Sequence, residues 1–173
     1  MLKEKIEKAF NDQVNAEVYS AYLYWSMAAA LEDMQLKGCA SWMRVQAQEE
    51  MTHAAKFYDY ILERGGRVKL TAIAAPPTEW KDVQAIFEET LKHEQHVTSL
   101  INGLADLTAA EKDYAGSNFL QWFVNEQVEE EATAQEVLGM VRMASANPGS
   151  LFMLDNQMGQ RVFTAPTSQG ESE

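Results

Sequence analysis

Gln46-Ala47-Gln48-Glu49-Glu50-Met51-Thr52-His53 places a carboxylate and an imidazole three residues apart, at Glu50 and His53. On an α-helix, side chains so spaced share one face. Working outward in steps of three and four gives Cys39, Met43, Gln46, Glu50, His53, Phe57 and Tyr60. This row is an apolar stripe, the face a helix turns toward a core, interrupted at its centre by polar groups. Three more rows have the same form. The first is Phe10, Val14, Glu17, Ala21, Tyr24, Ala28, Leu31; the second is Val83, Phe87, Thr90, Glu94, Val97, Ile101, Leu104; the third is Leu120, Phe123, Gln127, Glu130, Ala134, Val137, Val141. The fold class is therefore all-α, with four long helices that each carry a polar break in mid-stripe.

Glycine and proline fall mostly between these segments. The periodicity predicts helices over about 3–33, 37–64, 80–107 and 109–146, with a short fifth helix over about 149–160. Thr108-Ala109-Ala110-Glu111 has the form of a capping box, marking the start of the fourth helix. Asn147-Pro148-Gly149 is expected to end that helix, after which Leu151, Leu154 and Met158 line one face of the fifth. Gly65 to Glu79, holding Gly65-Gly66 and Pro76-Pro77, is long enough to cross the long axis of a bundle. Two tight turns with one long second-to-third crossover is the connectivity of ferritin-like four-helix bundles. One domain spans 1–163, and 164–173, poor in large apolar residues, is expected to be a mobile tail.

Antiparallel helices pair positions reflected through their turn. A turn near residue 35 sets Glu17 opposite Glu50 and His53, and one near residue 110 sets Glu94 opposite Gln127 and Glu130. Four buried carboxylates would cost several kcal/mol each if charged and unpaired. No lysine or arginine lies within a helical turn on any of these stripes, whereas two divalent cations would neutralise all four charges. A dinuclear metal site follows, and oxygen-rich ligation with one imidazole suits iron(II) or manganese(II), with zinc possible.

Fourteen basic against twenty-six acidic residues give a net charge of −12, which disfavours nucleic acid or an anionic membrane as partner. The single cysteine, Cys39, excludes an internal disulfide or a multi-cysteine cluster and reads as a small core residue. There is no long apolar run and no signal-like N-terminus, so a soluble, cytoplasmic protein is expected. His93 and His96 lie off the Glu94 stripe and read as surface histidines; Trp122 reads as core packing.

With these residues in hand, the chain resembles the bacterial and archaeal non-haem ferritins. Asn15-Ala16-Glu17-Val18-Tyr19-Ser20-Ala21-Tyr22-Leu23-Tyr24 is similar to their first-helix signature, and Gln48-Glu49-Glu50-Met51-Thr52-His53-Ala54 to their second. Lys92-His93-Glu94 and Asn118-Phe119-Leu120-Gln121-Trp122-Phe123-Val124-Asn125-Glu126-Gln127-Val128-Glu129-Glu130-Glu131 resemble the corresponding parts of the third and fourth. The resemblance implies that Glu17 and His53 ligate one iron, Glu94 and Glu130 a second, and that Glu50 bridges them. It implies Gln127 as a hydrogen-bonding neighbour and Tyr24 as an electron or hydrogen-bond donor. A third iron position would fall to Glu49, Glu126 and Glu129, with Glu130 shared. Met51 follows the helix glutamate as in haem-binding bacterioferritins, but Gln127 and Glu130 stand where those proteins carry a second Glu-x-x-His, so no haem is expected.

The function so implied is iron storage with ferroxidase activity. Iron(II) would be oxidised by dioxygen or hydrogen peroxide and kept as a ferric mineral in a homo-oligomeric cage, most often of 24 subunits. The alternative, a rubrerythrin-like di-iron oxidase or peroxidase for detoxification, usually brings a four-cysteine module that one cysteine cannot form. A DNA-protecting mini-cage would build its metal site between subunits and carry a basic arm, and neither feature is present in the sequence.

Overall fold

A computed structural model describes residues 2–164 and holds five α-helices and no strand among them. They are α1 (Glu4–Asp33), α2 (Lys37–Glu63), α3 (Val83–Ala110), α4 (Tyr114–Ala144) and α5 (Pro148–Met158). All the stripe residues are buried except Tyr60, which is half-buried. The expected tail lies outside the described residues apart from Thr164.

Three helix ends share one device. After α1, Gln35 takes φ +63 and the Leu36 amide donates to the Leu31 carbonyl at 2.9 Å. After α2, Gly65 takes φ +70 and the Gly66 amide donates to Ile61 at 2.8 Å; after α3, Lys112 takes φ +54 and the Asp113 amide donates to Thr108 at 2.9 Å. Each is a left-handed residue closing a six-to-one bond that satisfies an otherwise free terminal carbonyl. The third corrects the expected capping box. Thr108 is buried inside α3, where its hydroxyl donates to the Ala105 carbonyl and accepts from Ser117 Oγ, so α4 starts at Tyr114 rather than 109. Helix α3 likewise starts at Val83, not 80, because the Asp82 carboxylate caps the Ala85 amide at 2.9 Å. Asn147-Pro148-Gly149 does lie beyond α4, but it begins α5. Asn147 Oδ1 accepts from the Gly149 and Ser150 amides, and Pro148 occupies the first turn.

The crossover is laced to α1 along its length. Glu7 accepts from the Arg67 amide, Asn11 bonds Arg67 and Lys69, Asn15 donates to Thr71 and Ala72, and Ser26 donates to Pro77. The loop thus runs parallel to α1, and α3 returns antiparallel to α1, as the contacts of Ser20 with His93 and Met27 with Thr90 show. Two apolar clusters result. One holds Tyr24, Met27, Leu31, Cys39, Met43, Phe87 and Val141; the other holds Ile6, Phe10, Phe57, Ile61, Ile101, Leu120 and Phe123. Each large side chain so buried contributes about 1.5–3 kcal/mol. Along each of α1 to α4 the polar breaks fall between the two clusters, so one polar layer is sandwiched in mid-bundle.

Candidate metal centre

Each long helix delivers its carboxylate to this layer. Glu17, Glu50 and Glu94 are at most 1% exposed, His53 is 2% exposed and Glu130 is 7% exposed. Such burial of charge demands compensation. Among the described residues, only neutral donors reach Glu17, Glu94 and Glu130. Gln13 Nε2 donates to Glu17 Oε1 at 2.8 Å, the Tyr24 hydroxyl donates to Glu94 Oε1, Gln127 Nε2 reaches Glu94 Oε2 at 3.4 Å, and Gln46 Nε2 donates to Glu130 Oε2 at 3.0 Å. His53 Nδ1 lies 3.3 Å from Glu50 Oε2. Among the described residues, Glu17 Oε2 is a buried oxygen with no partner.

The electrostatics follow from that geometry. Burial raises the Glu17 carboxyl above its ordinary range. Burial first, then the charges of Glu94, Glu17 and Glu130, pushes Glu50 well above it. Glu94 is raised to about 8 by burial and by Glu130, against the lowering effect of Tyr24 and Gln127. The Tyr24 phenol is itself held well above its usual value by burial and by Glu94, so at neutral pH it remains a donor. A site built to hold protons would not need four carboxyls facing one another; a multivalent cation would satisfy all of them at once.

Among the described residues, two groups of side chains each bring atoms that could ligate a metal within 4.8 Å of one another: Glu17 with Glu50 and His53, and His53 with Glu126 and Glu130. The first group brings together Glu17, Glu50 and His53, three of the residues expected to hold metal. Glu94 belongs to neither group; one of its oxygens accepts from the Tyr24 hydroxyl and the other faces Gln127 Nε2. Of the expected outer residues, Glu126 is half-buried within the second group, and Glu129 is exposed and outside both. Glu49 is held by Arg161, whose Nη2 donates to Glu49 Oε2 at 2.6 Å. Its carboxyl is raised to about 7, chiefly by burial.

Sequence reasoning missed Gln13, Ser20 and Arg161. Gln13 lies four residues before Glu17, so a one-turn search from the carboxylate would have found it. Ser20 Oγ lies 2.8 Å from His93 Nε2, and this corrects the reading of His93 as a surface group. His93 is half-buried, edge-on to the Tyr24 ring at 5.8 Å, and burial lowers its imidazole to about 4. His96 is exposed, as expected. Trp122 is half-buried with its ring edge-on to His53, its centroid 5.5 Å away, and Lys56 Nζ 4.3 Å over its face. Cys39 is buried as expected, its thiol pushed up to about 12 by burial and Asp155.

Comparison with known proteins bears on this arrangement. Residues 7–144 match the family model described as ferritin-like domain. A protein of Bacteroides fragilis named "Bacterial non-heme ferritin" is 45% identical over 161 residues, covering 93% of this chain and 100% of that one. A protein of the same name from Escherichia coli is 35% identical over 158 residues, covering 91% and 96%. An open-pore ferritin from the hyperthermophilic archaeon Archaeoglobus fulgidus superposes with a TM-score of 0.92 at 48% identity, covering 94% of this chain and 100% of that one.

Proposed function

The chain belongs to the ferritin family, and from that premise we propose that it stores iron, oxidising iron(II) at the polar layer of each subunit and keeping the product as a ferric mineral. The observation that carries this reading is the buried layer of Glu17, Glu50, His53, Glu94 and Glu130, with one carboxylate oxygen of Glu17 left without a partner among the described residues. Two iron(II) ions are the substrate. Each gives up one electron, and the pair, with two protons, reduces either dioxygen to one hydrogen peroxide or hydrogen peroxide to two waters.

In this reading Glu17 and His53 hold one ion, Glu94 and Glu130 the other, and Glu50 reaches both. Hard anionic oxygens stabilise iron(III) over iron(II), which favours the electron transfer. Gln127 orients Glu94, and Tyr24 donates to the same carboxylate as hydrogen-bond partner and electron source. Glu126, with Glu49 and Glu129 nearer solvent and Glu130 shared, forms an outer third position through which iron passes. The subunit, a single domain over 1–163, assembles into a homo-oligomeric cage of 24 copies in the cytoplasm, without haem. Among the described residues no helix is long and apolar enough to cross a membrane.

Anaerobic titration with iron(II) should show saturable binding of about two equivalents per chain, followed on oxidant addition by rapid oxidation. Glu50→Ala should weaken both equivalents together. A linear, unsaturable response in the parent protein refutes the assignment. Electron microscopy of iron-loaded protein should show hollow shells with dense cores.

A further inference from the structure

We propose that Arg161 is the resident counter-ion of the outer iron position, occupying the Glu49 carboxylate until a metal ion displaces it and so making that position bind more weakly than the inner pair. The inference rests on the ferroxidase reading above. Arg161 comes from the segment that follows α5, more than a hundred residues from its partners. Its guanidinium makes two contacts: Nη2 donates to Glu49 Oε2 at 2.6 Å and Nη1 donates to Gln46 Oε1. Gln46 passes the polarisation on, its Nε2 donating to Glu130 Oε2 at 3.0 Å. The guanidinium also lies over the Trp42 ring, 4.6 Å from the centroid. One cation is thereby oriented by four residues, two of them carboxylates of the expected outer ligand set, one reached directly and one through Gln46.

The segment that presents Arg161 is itself fastened. Asp155 Oδ1 accepts from the Cys39 amide at 2.8 Å, Met158 is buried with its sulfur 3.6 Å from Cys39 Sγ, and Gly38 lies so close to Asp155 that any Cβ would fall 1.7 Å from its carbonyl oxygen. Position 161 is therefore held against α2 and does not sample the site at random. One guanidinium nitrogen is spent on Glu49 and the other on Gln46, so Arg161 occupies a Glu49 oxygen without closing the site. A divalent ion arriving among Glu49, Glu126 and Glu130 brings twice the charge and releases the arginine. The inner layer has no such competitor among the described residues, so the inner pair fills first and the outer position stays a place of transit.

The test is calorimetric titration of the metal-stripped, assembled protein with zinc(II), a redox-silent probe. The parent should take up about two tight equivalents per chain and a weaker third. Arg161→Gln should tighten the third about tenfold and leave the first two unchanged, the effect of removing one partly exposed ion-pair competitor. Arg161→Lys keeps the charge but not the fork and should fall between. Arg142→Gln removes an equal charge from the surface pair with Glu88 and measures the long-range effect of charge alone. A third equivalent in Arg161→Gln that is unchanged, weaker, or improved no more than in Arg142→Gln overturns the proposal. Should Arg161→Gln fail to assemble, Arg161→Lys decides, and a third equivalent no tighter than the parent's overturns it. Absence of the two tight equivalents in the parent would instead remove the di-iron reading, and this inference with it.

Discussion

Replacing Glu50 with glutamine should make the metal-free protein more stable while disabling it. Glu50 is 1% exposed and faces the charges of Glu94, Glu17 and Glu130, which with burial push its carboxyl well above the ordinary 4.5. A carboxyl raised on folding contributes stability that is fully present below its unfolded value and is lost as pH rises through its folded one. Glu94, raised to about 8, marks the upper end of that window, so the layer costs little near pH 4.5 and most near pH 8. Glutamine keeps the shape of Glu50 and removes the carboxyl whose ionisation the folded layer opposes. At pH 8 the gain should be about 1–3 kcal/mol, the scale found when buried ionic groups are replaced by neutral isosteres. For a chain of this size that is an increase of about 2–10 °C in Tm. Scanning calorimetry on chelator-treated protein should show this gain at pH 8, a smaller one at pH 5, and reversal when zinc(II) or iron(II) is added, because the parent gains bound metal and the variant does not. A metal-free Glu50→Gln protein no more stable than the parent at pH 8, or a difference that grows on acidification, refutes the electrostatic account of the layer.

Gly38→Ala should force α5 away from α2, since its Cβ meets a backbone oxygen that cannot step aside. The expected loss is about 2–3 kcal/mol, with faster hydrogen exchange over 148–158, and protection equal to the parent's there would contradict the close approach. Tyr24→Phe removes the hydroxyl that donates to Glu94 and leaves a buried carboxylate oxygen short of a donor, at a cost of about 1–3 kcal/mol in the metal-free protein. An unchanged melting midpoint for that variant would show that the bond has no weight.

The stripes were legible because helical periodicity is a local property. Phe10 to Leu31 or Val83 to Leu104 can be sorted by face without knowing what they pack against, and a glutamate in each row stands out by residue type alone. The reflection argument also worked for Glu17, Glu50 and His53, since a tight turn leaves little freedom in the pairing of its two helices. Helix ends were less legible. Thr108 and Glu111 carry the letters of a capping box, but the Thr108 hydroxyl bonds within its own helix and Lys112 takes the left-handed conformation instead. Local hydrogen-bond choices of nearly equal energy are settled by packing, here by the burial of Thr108 against Ser117.

By itself the sequence determined an all-helical chain, the order and approximate extent of five helices, and a common level at which four carboxylates and one imidazole enter the core. Tertiary structure alone decided how those groups divide. It set His53 within 4.8 Å of two groups of carboxylates, turned both oxygens of Glu94 toward Tyr24 and Gln127, left Glu129 exposed, and brought Arg161 onto Glu49 across 112 residues. The physical reason is that periodicity specifies which face of a helix is buried. The rotation and axial shift of one helix against another are set by side-chain packing across the whole bundle, and ångström-scale ligand geometry depends on them.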